Sequence, residues 1–148
     1  MIRHLTFALA AVLALYVAAV VEAKPHKPPK PHPKLTLLTG TEQGALRRKQ
    51  IKVRVDTDRG SSVKVTNHFV VDGYPSDFPF DLRPQTARFH NKTTVVKFGL
   101  SQRQQEVLDF AIKTCRGATV YLNAKVGRRG SGSLTQGLQI PGNCADTG

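Results

Sequence analysis

The sequence predicts an all-β fold, an antiparallel β-sandwich with one short helix bridging two of its strands. Three observations carry this. Apolar and polar residues alternate with period two across several short stretches from Leu35 onward, as strands with one buried and one wet face require. Segments rich in glycine, serine and aspartate punctuate those stretches. One segment, residues 101–115, changes to helical spacing.

Residues 1–23 stand ahead of the fold. Met1-Ile2-Arg3 supplies a positive start, residues 5–21 form an apolar run interrupted by Thr6, and Val21-Glu22-Ala23 places small residues where a signal peptidase reads them. The segment reads as a secretory signal cleaved after Ala23. The competing reading is an uncleaved anchor, because the run approaches the ~20 residues that span a bilayer and Lys24, Lys27 and Lys30 follow it.

Residues 24–34, KPHKPPKPHPK, contain only lysine, proline and histidine. Such a composition buries no core, so the tract is expected to stay extended and solvated as a polyproline II stalk. Three residues per turn put Lys24, Lys27 and Lys30 on one edge at intervals of about 9 Å. His26 and His32, about 19 Å apart on that helix, cannot share a metal ion.

Residues 35–148 are expected to form the domain. Ile51, Val53 and Val55 alternate with Lys52, Arg54 and Asp56; Asp58-Arg59-Gly60-Ser61 reads as a turn, and Val63 and Val65 resume the pattern, which together predict a hairpin. Residues 73–91 read as a long loop and residues 93–100 as a strand. Ser101 followed by Gln104 forms a capping box, and Val107, Leu108, Ala111 and Ile112 make an apolar stripe, predicting a helix over 102–113 across one end of the sandwich. From Ala118 to Val126 the alternation is unbroken. The glycine- and arginine-rich run GRRGSGS then reads as a turn before a last strand at about 134–140. The expected register of that hairpin pairs Val126 with Leu134, Leu122 with Leu138 and Val120 with Ile140. Cys115 and Cys144 fall one step off this register at the open end, where a kink at Pro141-Gly142 would bring them into a structural disulfide. A nucleophilic or metal-binding cysteine is the alternative, with no CxxC or Cys/His cluster to support it.

The runs ALRRKQIKVRVDTDRGSSVKV, TTVVKFGLSQRQQEVLDFA and RGATVYLNAKV resemble the small immunoglobulin-like β-sandwich modules of secreted actinobacterial surface proteins. The resemblance covers most of residues 39–140 and departs from the pattern in the long loop. It implies an exported immunoglobulin-like sandwich, and it carries no catalytic or ligand-binding residues with it.

Charge narrows the function further. Twenty-two basic residues stand against ten acidic ones, a net charge of +12, which loss of Arg3 and Glu22 with the signal leaves unchanged. Anionic polymers are the natural partners: cell-wall polymer, acidic glycan, lipid headgroups or nucleic acid. Lys24, Lys27 and Lys30 in the tract and Arg128 and Arg129 in the glycine-rich turn are the candidate polyanion-binding residues. The 73–91 loop gathers Tyr74, Asp77, Phe78, Phe80, Asp81 and Arg83. Its aromatics cap the core, or they form a recognition surface for a glycan or protein, or its aspartates hold calcium, although their spacing matches no calcium loop. His68 and His90 lie in no G-x-S-x-G, H-E-x-x-H or Cys/His setting, so neither catalysis, cofactor nor metal is expected. Asn91-Lys92-Thr93 would be a glycosylation sequon in a eukaryotic secretory pathway. The expected function is a secreted, noncatalytic module at an anionic cell surface. The alternative is a soluble cationic effector or toxin that binds nucleic acid or a target membrane.

Overall fold

The computed structural model describes residues 29–74, 80–128 and 130–144. The signal segment, Lys24, Lys27, Asp77, Phe78 and Arg129 lie outside these described residues. The chain runs β1 (Lys34–Leu37), α1 (Glu42–Arg48), β2 (Gln50–Asp56), β3 (Ser62–Val71), β4 (Asp81–Arg88), β5 (Thr93–Gly99), α2 (Gln102–Lys113), β6 (Ala118–Val126) and β7 (Gly130–Leu138), followed by a short 3-10 turn, Gly142–Cys144.

All strand pairings are antiparallel and form two sheets, β1-β2-β5 and β4-β3-β6-β7. The period-two residues of both sheets meet in one core, with Ile51, Val53 and Val55 from one side and Val63, Val65, Phe69, Val120 and Leu122 from the other all buried. This sandwich-like, mostly β architecture is what the alternation predicts.

The helix over 102–113 forms as its capping box dictates. The Ser101 hydroxyl accepts from the Gln104 backbone N–H at 3.3 Å, and the Gln104 side chain accepts from the Ser101 N–H at 2.8 Å. Val107, Leu108 and Ala111 are buried on its inner face. A second helix, α1, corrects the single-helix expectation. Thr41 caps it by accepting from the Gly44 N–H at 2.9 Å, and Lys49 ends it in the left-handed region at φ 53°. Only Ala45 on this helix is a buried apolar residue, so no apolar stripe announces it.

The expected hairpin between β2 and β3 does not form. Both are strands, but they lie in different sheets. The backbone groups around the intervening turn pair with the β4–β5 connection instead: the Thr57 N–H donates to the Lys92 carbonyl at 2.9 Å and the Phe89 N–H to the Ser61 carbonyl at 3.0 Å. Alternation sets which face of a strand is buried; it does not choose the partner strand.

The last hairpin forms in a different register. Leu122 pairs with Leu134, Ala118 with Leu138 and Val126 with Gly130, four residues from the expected pairing. A four-residue slip keeps every side chain on its face, so the alternation is blind to it. What selects the register lies elsewhere. Gly127, at φ 59°, allows a short turn, and Gly130 and Gly132 join β7 because Pro31 and Pro33 press against it. A Cβ on Gly130 would stand 2.7 Å from the Pro31 carbonyl oxygen. Pro33 is accordingly buried and Pro31 half-buried. The expectation of a tract solvated throughout is corrected here, since its last residues continue the buried alternation into Leu35 and Leu37.

Candidate polyanion-binding site

Packing of Pro31 on Gly130 brings two sequence-predicted candidates to one end of the sandwich. Lys30 is exposed immediately before Pro31, and Arg128 is exposed in the β6–β7 turn two residues before Gly130. The turn 57–61 and the connection 89–92 are bonded to each other at this same end, and a Cβ on Gly60 would meet the side chain of Val126. Arg88 and Lys92, both exposed, therefore add to the same pole, where Arg59 is paired with Asp58 of its own turn.

The wet faces of the sheets extend this charge. Strand order places Lys64 of β3 directly opposite Lys125 of β6, and Lys52 of β2 directly opposite Lys97 of β5. Directly opposed side chains have Cβ atoms about 4.5–5.5 Å apart, where like charges repel. None of these four lysines has a carboxylate partner among the described residues. Several acids are engaged by other groups, and Asp58, in the 57–61 turn of the pole itself, lies 3.9 Å from Arg59. Arg54 bonds Asp56 at 3.0 Å and the Thr93 hydroxyl donates to the same carboxylate at 2.7 Å; Thr93 first and Arg54 second hold the Asp56 carboxyl below its ordinary range. Lys113 pairs with Asp109 at 2.6 Å and His68 with Asp81 at 2.9 Å. Lys64, Thr66, Asn123 and Lys125 together line a surface depression of about 310 Å³.

Composition and periodicity do not single out these lysines. Each occupies an ordinary polar position of an alternating strand, and their convergence depends on strand order and register.

The 73–91 segment is not one long loop. Its second half is β4, an edge strand paired only to β3. Pro84 is tolerated there because an edge strand has a free side, and the register shift between Val65 and Asn67 absorbs it. Of the expected recognition residues, Phe80 is 3% exposed and belongs to the core, packed on Phe69 with ring centroids 4.9 Å apart. Tyr74 is half-buried, edge-on to Phe80 at 5.8 Å and to Phe110 at 5.5 Å. These two aromatics close the core. Asp81 faces outward to His68, and Arg83 is exposed beside it on β4.

The two cysteines are bonded, with Cα atoms 5.3 Å apart. The bond forms although the register differs, because the 3-10 turn Gly142–Cys144, with the Cys144 N–H donating to the Pro141 carbonyl at 2.9 Å, draws the tail back to the end of α2. No helix among the described residues is long and apolar enough to cross a membrane.

Comparison of the chain with protein-family models and with curated proteins finds no match.

Proposed function

We propose that the chain is a secreted, noncatalytic, immunoglobulin-like β-sandwich module that binds an anionic polymer at a cell surface. The observation that carries the binding half is the shared pole: the lysine-bearing tract enters beside the Arg128 turn, next to opposed lysines that no acid among the described residues neutralises. Interior packing does not explain such an arrangement, since like charges facing each other across a ladder cost stability. An anionic ligand removes that cost. Strand order supports the immunoglobulin-like half. Immunoglobulin constant-type sandwiches pair their strands in the orders 1-2-5-4 and 3-6-7; here the orders are 1-2-5 and 4-3-6-7, which differ only in the sheet that the fourth strand joins. Secretion is supported by the leader sequence and by the disulfide, a bond that persists in oxidising compartments.

Fractionation of the producing cells tests the reading. Protein should sediment with the envelope at low salt and be released by added salt, because screened contacts between exposed charges weaken within a Debye length. Protein free in the medium at low salt would instead favour a soluble cationic effector.

A further inference from the structure

We infer that the outer face of the four-stranded sheet is a subsite for an acidic polysaccharide in which carboxylate-bearing sugars alternate with neutral ones. The inference rests on the anionic-polymer reading above and names the site and the ligand. Three neighbouring rows of the β3–β6 ladder carry it. Lys64 faces Lys125 in the first, Thr66 faces Asn123 in the second, and His68 faces Tyr121 in the third. The first two rows line the 310 Å³ depression. Tyr121 is 40% exposed in the third, its ring 6.0 Å from that of His68, which Asp81 in turn engages at 2.9 Å.

The chemistry changes in order along the strands. Two directly opposed lysines come first, able to share one anion; a hydroxyl and an amide follow, able to hydrogen-bond sugar hydroxyls; then comes an exposed phenol ring beside His68, with the Asp81 carboxylate on the far side of that imidazole. Four residues of strand separate the cationic row from the aromatic row, about 13 Å. A ligand lying along β3 and β6 therefore meets opposed lysines at one end and, at the other, Tyr121 and His68, with Asp81 and Arg83 on the neighbouring strand β4. Single-stranded nucleic acid carries a phosphate on every nucleotide and stacks its bases on successive aromatic platforms. Here, among the described residues of this face, Tyr121 offers one exposed aromatic ring and not a succession of platforms. An alternating acidic glycan seats its carboxylate between Lys64 and Lys125 and lays a neutral sugar on Tyr121, where His68 and Asp81 can bond its hydroxyls.

Hyaluronan oligosaccharides, which alternate uronate with a neutral sugar, are the probe, with oligothymidylate and dextran as comparators, titrated against the mature chain across a salt series. Lys64→Gln with Lys125→Gln should weaken hyaluronan binding about tenfold, as removal of two exposed ion pairs with the ligand implies, and should flatten its salt dependence. Tyr121→Ala should weaken binding several-fold and leave the salt slope unchanged. Arg47→Gln with Arg48→Gln removes the same charge from the exposed last turn of α1, apart from the cationic pole and both lysine pairs, and should change affinity less than twofold. The first double variant should melt no lower than the wild type, since it relieves a repulsion. Equal weakening by both double variants would overturn the subsite in favour of diffuse attraction. Tighter binding of oligothymidylate, with the same dependence on Tyr121, would overturn the choice of ligand. A chain that binds no anionic polymer at all would sink the anionic-polymer reading itself, whereas binding that ignores Lys64 and Lys125 would remove only the subsite.

Discussion

Replacing Cys115 and Cys144 together by alanine is expected to lower the unfolding free energy by roughly 3–4 kcal/mol. The bond closes 29 residues of sequence separation, and most of that effect is the conformational freedom an uncrosslinked loop regains on unfolding. In the native chain the bond ties the end of α2 to the tail that follows β7, across the open end of the β6–β7 hairpin. For a domain of this size the midpoint should fall by about 10–20 °C. Reducing the wild type checks the origin of the effect, since a thiol form that melts with the double variant isolates the crosslink from the side-chain change. A decrease below about 1 kcal/mol would mean that the hairpin already holds the loop closed in the unfolded ensemble.

Stability should also fall as pH rises from about 4.5 to about 7, through Glu42. This residue opens α1 and is fully buried, and its carboxylate oxygens have no well-formed hydrogen bond among the described residues. Burial raises its pKa to about 7; the Ala118 backbone opposes the shift and the Asp72 charge adds to it. The folded carboxyl thus holds its proton more tightly than the unfolded one. Its stabilising contribution is complete below pH 4.5, declines through the folded pKa and is gone above it. The shift corresponds to at most about 3 kcal/mol. A favourable interaction with the helix dipole offsets about 0.3–1 kcal/mol of the charged-state cost, so desolvation prevails. Glu42→Gln should flatten the profile between pH 4.5 and 7, and Glu42→Met should both flatten it and raise stability at pH 8, because no unpaired polar group remains. Denaturant melts across this range measure it. Unchanged pH dependence in both variants would show that another group titrates there.

These effects sit on features of differing legibility. The α2 capping box and the nine-residue alternation of β6 are local, and the sequence shows both with their boundaries. The cysteine pairing is legible for an incomplete reason: both cysteines flank one hairpin, and that holds in either register. Partner choice is not legible. The Asp58-Arg59-Gly60-Ser61 turn has hairpin composition, yet it carries the chain from one sheet to the other. Pro84 and the charges around it conceal an edge strand, where proline costs little. Gly130 and Gly132 read as loop residues because the prolines that fill their space lie about 100 residues away in sequence. The site follows the same rule. Arg128 and Lys30 are legible from composition, while Lys64 and Lys125 acquire meaning only when β3 pairs with β6.

The most direct measurement of whether tract and sheet form one cationic pole is the salt slope of retention on an anionic wall polymer. Three chains are compared: the mature protein, its K24Q/K27Q/K30Q variant, and a chain beginning at Pro31, which keeps the prolines that pack on β7. On a highly charged polymer, every lysine that pairs with the polymer releases about one counterion, so removing that lysine lowers the slope by about one. The slope should therefore be steepest for the mature chain, shallower and alike for the other two, and still above zero, because the lysines and arginines of the domain remain. Identical slopes for all three would contradict a shared pole and leave the tract as a spacer.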